Sequence, residues 1–403
     1  MDGHTDLLGI GAFARRVGLT PSALRFYDDC RVLRPAHVDP LTGYRYYAPD
    51  QERRGRSLRT LREAGVPLAE ATVVPAGSRT EAVAVLERHR RRTRERTRVA
   101  EAALDELLAA VTGAGPGSSG TGGWGTEPVG PDRPPPDPDG TTRVRLDGLE
   151  LAGSVRQVVP SVERTGEHPV LGCVLIEVGG AGGVGDDRNG EAGEVRFVAT
   201  DRYRLAVRSL VPRGLSGPRR AVPVPADALV ELATGAVRTD TVELVLPASD
   251  RDGVLVRGVP GTTRLPVGEG EYPDHRMVLD GIGPPRHRVV TDRPALLVAL
   301  RDREGAPGVV LTPGRDTVAV AAVDGPGEAE PVHLPAVWRG EGRLRIGFDP
   351  TVLARALEAG IGPDVLLEVV DERSPVVVRS ADQGGFTTLV MPVALPGDGR
   401  PVR

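Results

Sequence analysis

The stretch FVATDRYRLAV, residues 197–207, decides the fold of the larger part of this chain. Its first half alternates between two faces in steps of two residues, and its second half places Leu205 and Val207 on one face. A charged Asp-Arg-Tyr-Arg corner separates the two halves. Alternation on both sides of a polar corner is typical of two short strands folded about a turn, so the stretch predicts a β-hairpin.

The length and composition of the chain predict several folded units joined by turns and a flexible segment. The 403 residues exceed one ordinary domain and fit two or three. Hydrophobic residues make up 39%, enough for packed cores, while 52 Gly and 37 Pro indicate many turns. Residues 1–112 hold 19 Arg against 15 acidic residues, whereas the whole chain has a net charge of −4. This asymmetry is typical of a DNA-facing head on an acidic body.

The sequence lacks the usual signals of metal, cofactor and membrane sites. Cys30 and Cys173 lie far apart and have no CxxC or histidine-rich neighbours, so neither a disulfide framework nor a zinc site is expected. We find no phosphate-binding loop and no nucleophile elbow, so we expect no catalytic residues, no cofactor and no enzyme activity. No apolar run approaches the roughly 18 residues of a membrane span, and no signal peptide is recognisable, which predicts a cytoplasmic protein.

Changes in composition and periodicity divide the chain into successive segments. A Gly/Pro/Ser-rich stretch separates a helical head from a body in which a helix–strands–helix–strands order occurs twice, indicating an internal duplication. The predicted segments are a head at 8–79, a long helix at 80–111, a disordered linker at 112–142 and two repeated units at 143–280 and 281–397. Within the body, amphipathic helices are predicted near 148–162, 225–236, 293–303 and 350–359.

The first thirty residues carry the signals of two short helices joined by a tight turn. Apolar residues recur at helical spacing through residues 10–17, and Gly18 is placed to end that helix. Thr20 then caps a second helix, in which Pro21 takes the first turn. Such a unit lays its second helix in the major groove of DNA. Arg25 points outward on that helix, where it could reach a base edge or a phosphate.

The next stretch, VDPLTGYRYYAPDQ, predicts a hairpin that carries aromatic and cationic groups. Together, ALRFYDD at 23–29 and TGYRYY at 42–47 resemble the MerR family of bacterial transcription regulators, which typically shows ALRYYD and TGYRYY at these places. The resemblance implies a winged helix-turn-helix that binds double-stranded DNA. Alternatively, Tyr46 or Tyr47 could belong to a small hydrophobic core. The predicted DNA-binding residues are Thr20, Ser22, Arg25, Tyr27, Tyr44, Arg45, Tyr46 and Tyr47.

The long segment at 80–111 has a weak but continuous heptad pattern. In MerR-like proteins such a helix forms an antiparallel dimeric coiled coil, so the resemblance implies a homodimer. The Arg-dense middle, RHRRRTRERTR, could be a solvated face or could touch DNA. The seam consists of Leu86, Arg90, Thr93, Thr97, Ala100, Leu104, Leu107 and Val111.

The body contains four recognisable motifs, which are, in order, ATDRYRLA, LPVGEGEYPDHRMVL, IGFDPTVLARAL and TTLVMPVAL. These motifs resemble those of the bacterial sliding clamp, the beta subunit of the replicative DNA polymerase. Clamps carry, in the same order, an ATDGHRLA-type hairpin, a GxYPDYxxxxP strand, an IGFNxxYLxDAL segment and a terminal VVMPMRL. The resemblance implies two α+β clamp domains of the second and third types, and the clamp's first domain has no counterpart.

In clamps, the hairpin and the final Met-Pro strand meet at a groove that receives short apolar peptides. The resemblance therefore implies a peptide or ligand groove, with apolar walls and an arginine rim. Tyr203 replaces a usual His, and Asp280 stands where a Pro is expected. Alternatively, these residues simply pack two domains together. The groove residues so implied are Leu171, Thr200, Arg202, Tyr203, Arg204, Leu205, Leu389, Met391, Pro392 and Val393.

The sequence thus predicts a multidomain protein: an all-α winged helix-turn-helix head with a long dimerisation helix, then an α+β clamp-like body of two repeated domains. The function this favours is a MerR-type transcription regulator whose body senses a clamp-binding peptide or a small-molecule effector. The resemblance implies a palindromic promoter operator and RNA polymerase as partners. A rival hypothesis is a replication-associated adaptor that docks clamp-binding proteins onto DNA.

Overall fold

The computed structural model describes residues 7–29, 32–72, 74, 78–112, 140–179, 193–248, 253–259, 263–323, 330–380 and 383–395. The chain divides into two compact units, one formed by Met1–Thr72 with Asp139–Arg403 and the other by Val73–Pro138. Most of the predicted linker, together with Cys30, lies outside the described residues, whereas Cys173 is a buried free thiol. In the described part of the chain, no helix is both long and apolar enough to span a membrane.

The head folds as the capping signals predict. Gly18 adopts the left-handed conformation (φ +72°), and its N–H donates to the carbonyl of Ala14, which ends the first helix. The Thr20 hydroxyl accepts a 3.0 Å bond from the N–H of Ala23 and so caps the second helix. The elements are β1 (Leu8–Gly9), α1 (Ile10–Val17), α2 (Pro21–Asp29), β2 (His37–Val38), β3 (Arg45–Tyr47), α3 (Glu52–Glu63) and α4 (Leu68–Ala71).

The second unit contains one long helix, α5 (Arg79–Thr112), which matches the predicted segment within a residue at each end.

The first repeat of the body combines two helices with short antiparallel strands. Its strands are β4 (Thr142–Asp147), β5 (Cys173–Val178), β6 (Val195–Thr200), β7 (Arg204–Leu210), β8 (Gly214–Ser216), β9 (Arg220–Pro225), β10 (Thr241–Leu246), β11 (Val254–Arg257) and β12 (Thr263–Leu265). Its paired helices are α6 (Gly148–Val158) and α7 (Ala226–Ala236). The predicted hairpin is confirmed: β6 and β7 pair with Val198 opposite Val207 and Thr200 opposite Leu205.

A short helix, α8 (His275–Asp280), follows the first repeat where the clamp motif predicted a strand. That prediction was wrong because Asp274 caps a helix: its Oδ1 accepts from the N–H groups of Arg276 (3.0 Å) and Met277 (3.4 Å).

The second repeat has the same order of elements. Its strands are β13 (His287–Asp292), β14 (Val309–Pro313), β15 (Thr317–Ala322), β16 (Val332–Arg339), β17 (Ile346–Phe348), β18 (Asp364–Val369), β19 (Val376–Ser380) and β20 (Gln383–Val390). Its paired helices are α9 (Arg293–Arg301) and α10 (Pro350–Ala359). All four predicted body helices therefore form, although the first ends at Val158 and gives way to a 3-10 turn that contains a proline.

Strand pairing joins the two repeats into one sheet. In the described residues, twelve strands follow the order β17-β14-β15-β16-β13-β18-β19-β20-β7-β6-β5-β9, and a second sheet has the order β12-β11-β10-β4-β8. The junction is β20 against β7, with Leu389 opposite Leu205. Each repeat has its own hydrophobic core beneath its helix pair.

Candidate functional site

The exposed face of the head is formed by α2 and by the β2–β3 hairpin. Arg25 is exposed on α2, and Tyr44 is nearly half exposed beside the hairpin turn. The turn is built by Asp39, whose Oδ1 accepts from the N–H of Leu41 at 2.8 Å, and by Gly43 at φ +68°. Leu41 at its tip is 95% exposed. This face can therefore offer a cation and an aromatic ring to a partner.

Two tyrosines predicted to bind DNA belong to the core of the head instead. Tyr27 and Tyr47 are buried, and the Tyr47 ring stacks on Phe13 with ring centroids 4.5 Å apart. The Tyr47 hydroxyl donates to the carbonyl of Leu24, and burial raises the pKa of Tyr47. The DNA-binding prediction was wrong for Tyr27, and for Tyr47 the alternative of a small hydrophobic core is correct, because the inner face of α2 and the β3 pleat turn both rings inward.

The other predicted head residues divide between structural contacts and exposure. The Thr20 hydroxyl caps α2. Arg45 donates from Nε to Asp28 Oδ2 at 2.7 Å, which ties the hairpin to α2. Tyr46 is half-buried and lies edge-on to Tyr44, with ring centroids 5.2 Å apart. The side chain of Ser22 lies outside the described residues.

The head is fastened to the second repeat of the body by a buried carboxylate. Asp364, at the start of β18, is 0% exposed; its Oδ1 accepts from the N–H of Leu68 at 2.7 Å, and its Oδ2 accepts from Nη1 of Arg62. The short helix α4 packs against β13 and β16. The head thus donates two hydrogen bonds to one buried carboxylate of the body, one from the guanidinium of Arg62 and one from the backbone N–H of Leu68, the first residue of α4.

A separate set of ion pairs joins α2, hereafter the recognition helix, to the body. Asp29, at the end of α2, lies 3.4 Å from Arg379 of β19, which also pairs with Glu368 of β18 at 2.5 Å. On the head side, Arg45 of the hairpin lies 3.9 Å from Asp29. Burial raises the pKa of Asp29, against the opposing charge of Arg379. The hairpin, α2 and two body strands therefore share one electrostatic network.

A groove lies where the β6–β7 hairpin meets the end of β20. It encloses about 200 Å³, and the N–H of Met391 donates to the carbonyl of Tyr203 at 2.8 Å, one step beyond the β20–β7 pairing. The structure brings eight of the ten predicted groove residues together: Leu171, Thr200, Arg202, Tyr203, Arg204, Leu205, Leu389 and Met391. Pro392 and Val393 do not line it, and Val393 instead donates its N–H to the carbonyl of Gly347 at 2.9 Å.

Sequence reasoning missed the opposite wall of the groove. That wall comes from α8, from the two residues before it and from the residue before β19, namely Pro273, Asp274, His275, Val278 and Pro375. The YPDHRMVL motif was the available signal, but reading it as a strand hid the fact that its side chains turn toward the groove. His275 is buried and its Nε2 lies 3.4 Å from Glu177. Burial would raise the pKa of Glu177, but the hydrogen bond and charge of His275, with those of Arg276, lower it overall.

Comparison with known proteins separates the head from the body. Residues 8–74 match the family model of the MerR HTH family regulatory protein. A multidrug-efflux transporter 1 regulator of Bacillus subtilis is 38% identical over 61 residues, which are 15% of this chain and 22% of that protein. The beta sliding clamp of Escherichia coli is 28% identical over 209 residues, 51% of this chain and 56% of the clamp.

Solved structures resemble the body. The DNA polymerase sliding clamp from Pseudomonas aeruginosa superposes with a TM-score of 0.55 at 24% identity, covering 64% of this chain and 68% of that one. The Bacillus subtilis clamp gives 0.54 at 19%, covering 66% and 67%. The head is a MerR-type helix-turn-helix domain, and the body is sliding-clamp-like. The chain spans just over half the length of the clamps that it matches in sequence.

One group of possible metal ligands lies near the rim of the clamp-like groove. In the described part of the chain, Glu163, Glu167 and His168 bring one ligand atom each within 4.8 Å of the others. Their contacts are internal: Glu163 accepts from the N–H of His168 at 3.1 Å, and Glu167 lies 3.6 Å from Arg202. We therefore assign no metal to this cluster.

Proposed function

We propose that this protein is a DNA-binding transcription regulator whose clamp-like groove is its sensor. The MerR-type head would bind a palindromic promoter site, and occupancy of the groove would change how the head holds the duplex. By resemblance to MerR regulators, this change would realign promoter elements for RNA polymerase. Distorting the duplex in this way costs DNA deformation energy, which depends on the sequence of the site.

The exposed face of the head supports the DNA-binding half of the proposal. Arg25 on α2 and Tyr44 beside the hairpin turn are both exposed, and we propose that Arg25 contacts a base edge or a phosphate. A palindromic site requires a dimer. The helix α5 supports one because Leu86 and Leu104, both on the heptad seam, are exposed in the single chain.

The observation that carries the sensor half is that the head rests on strands that also build the groove. Arg379 of β19 contacts Asp29 of the recognition helix, and Pro375, which lines the groove, directly precedes β19. Four residues of extended strand span about 13 Å, so the two sites lie at either end of the same short strand. A ligand that shifts β19 or β20 therefore has a short, packed route to α2.

The groove supports an apolar ligand that packs against Leu171, Leu205 and Leu389. The sliding clamp of Pseudomonas aeruginosa has been solved bound to griselimycin, at 24% identity to this chain. We include such clamp-directed small molecules, beside clamp-binding peptides, among the proposed effectors.

Footprinting of the DNA upstream of the protein's own gene and its neighbours tests this function. We expect protection of one discrete palindrome, and we expect a groove-binding peptide to alter the pattern or the affinity. Protection with little sequence preference would instead favour the replication-associated adaptor. Failure of a clamp-motif peptide to change the thermal stability at high concentration would end the sensor proposal.

A further inference from the structure

The rim of the groove holds an arginine with a strained backbone. Arg202 has φ +73°, the one positive φ of a non-glycine residue in the described ranges. This left-handed conformation brings Cβ too close to the backbone and is ordinarily left to Gly, Asn or Asp. The ATDGHRLA pattern of clamps has Gly at this position. A residue kept in such a conformation beside a cavity points to a role for its side chain.

The turn around Arg202 is held by its neighbours and does not need the arginine side chain. The Thr200 hydroxyl accepts from the N–H of Arg202 at 3.2 Å. Asp201 Oδ1 accepts from the N–H groups of Tyr203 (3.0 Å) and Arg204 (2.7 Å). These bonds fix the backbone, so a glycine would adopt the same turn without strain.

The Arg202 guanidinium lines the groove with only a weak partner. Its side chain is 53% exposed, and its ion pair in the described residues is with Glu167, at 3.6 Å, whose side chain is 66% exposed. Exposed pairs of this kind contribute little and exchange readily. A ligand anion could therefore displace Glu167 at small cost.

The neighbouring Arg204 leaves a second donor unfilled. Its side chain is buried and its Nε and Nη2 both donate to Asp201, at 3.0 and 2.5 Å. Its Nη1, however, is buried without a hydrogen-bond partner among the described residues. A buried, unpaired guanidinium donor that lines a cavity needs an acceptor from elsewhere.

Two carboxylates and one hydroxyl around the groove are already used. Asp274 caps α8, Asp201 holds Arg204, and the Thr200 hydroxyl donates to the carbonyl of Arg204 at 2.7 Å. The polar groups that remain for a ligand therefore include the guanidinium donors of Arg202 and Arg204, set among apolar walls.

We infer that the groove selects a largely apolar ligand that carries a carboxylate, with Arg202 as the residue that sets this preference. The inference rests on the proposed ligand-binding function of the groove. The carboxylate would accept from Arg202 at the rim and reach toward Nη1 of Arg204, while the apolar part of the ligand fills the cleft.

The test uses two probes that differ in one group: acetyl-Leu-Leu-Phe with a free C-terminal carboxylate, and the same peptide as its C-terminal amide. Calorimetry on the intact wild-type chain should give about fivefold tighter binding of the acid than of the amide. In Arg202→Gly the acid-to-amide affinity ratio should fall to about one. Glu167→Gln should raise the ratio, because it removes the competing carboxylate.

Controls separate this inference from a structural effect. Arg164→Ala removes an exposed charge from the neighbouring loop without touching the groove, and it should leave the ratio unchanged. Arg202→Gly should melt no lower than wild type, since it relieves the positive φ. Equal binding of the two probes by wild type, or an unchanged ratio in Arg202→Gly, overturns the inference while the groove remains a binding site. Binding of neither probe overturns the inference and the proposed sensor together.

Discussion

Two equivalent strand pairs of the body, one in each repeat, differ on their outer faces. In the first repeat, Arg145 of β4 is paired in register with Glu243 of β10, and the two form a 3.5 Å ion pair in which Arg145 is 65% exposed. In the second repeat, the register-equivalent residues are Val290 of β13 and Leu366 of β18. These are only 1% and 0% exposed. The first repeat therefore has a partly exposed charged pair at this place, and the second repeat has a buried apolar pair.

The difference in burial between the two repeats follows from the position of the DNA-binding head on the second repeat. Strand β10 has residues at alternate positions that are partly exposed, whereas every residue of β18 is buried. A strand that is covered on one face alternates, and a strand without alternation is covered on both. The helices of the second repeat cover the inner face, and the head covers the outer one through α4 and Asp364. Of the two repeats that share this architecture, only the second therefore has, among the described residues, an apolar outer face that binds the head.

The largest expected effect comes from the carboxylate that fastens the head. Asp364→Ala should lower the free energy of unfolding by about 3–5 kcal/mol, because it removes the charge partner of the buried Arg62. The register-equivalent Thr241→Ala in the first repeat should cost less than about 1 kcal/mol. Denaturant unfolding of both variants measures this. Similar losses of unfolding free energy in the two variants would contradict the claim that only the second repeat holds the head.

The apolar pair provides the next test. Leu366→Ala should cost about 3 kcal/mol, since a fully buried leucine leaves a cavity between the head and the sheet. Glu243→Ala, at the equivalent position of the first repeat, should cost about 1 kcal/mol or less, because the arginines it pairs with are partly exposed. Hydrogen exchange adds a local readout: the amide of Leu68 should exchange faster in Leu366→Ala. Unchanged exchange there would mean that the head does not cover Leu366.

A smaller and more specific effect is expected at Arg379. Its register equivalent in the first repeat is Arg257, which pairs with Glu243 at 3.2 Å. Because both pairs are partly exposed, each alanine variant should lower the free energy of unfolding by about 1 kcal/mol or less. Only Arg379→Ala loses a contact to the recognition helix, so only this variant should alter DNA affinity, as measured by titration with the footprinted site. Equal DNA affinities would contradict the role of the Asp29 contact.

The smallest effect is a pair of opposite pH dependences. The pKa of Asp29 is raised by burial at the head–body contact, so its stabilising contribution is full below its ordinary pKa of 3.8 and is lost as pH rises through the raised value. The pKa of Glu177 beside the groove is lowered, so its contribution is present above 4.5 and is lost on acidification through the lowered value. Melting curves of Asp29→Asn and Glu177→Gln against wild type, from pH 3 to 7, should therefore diverge in opposite directions.

Much of this fold could be predicted because local signals were strong. The end of α1 and the start of α2 were predicted from the capping residues Gly18 and Thr20, and the four body helices from apolar periodicity. The hairpin and most of the groove beside it were predicted from sequence motifs. Tyr27 and Tyr47 were misassigned because an aromatic ring near a DNA-binding helix fits a core as well as a backbone contact.

The docking of the head on the body could not be predicted with the same reasoning. The apolar residues 365–367 at the centre of β18 were a usable sign of a strand covered on both faces, but they did not indicate what covers it. The pairing of Asp364 with Arg62 joins residues 302 positions apart, which no local pattern encodes. The positive φ of Arg202 had one sign in the sequence, because the ATDGHRLA pattern of clamps has Gly at this position.

The most direct test of the account is whether the groove and the DNA-binding head communicate through Arg379. The affinity of the intact protein for its footprinted site should be measured with and without a saturating groove peptide, in wild type and in Arg379→Ala. We expect the peptide to shift the wild-type affinity by about tenfold and the variant's affinity by much less. If the peptide binds, the DNA binds, and neither protein shows a shift, the groove and the head are independent and the account is contradicted.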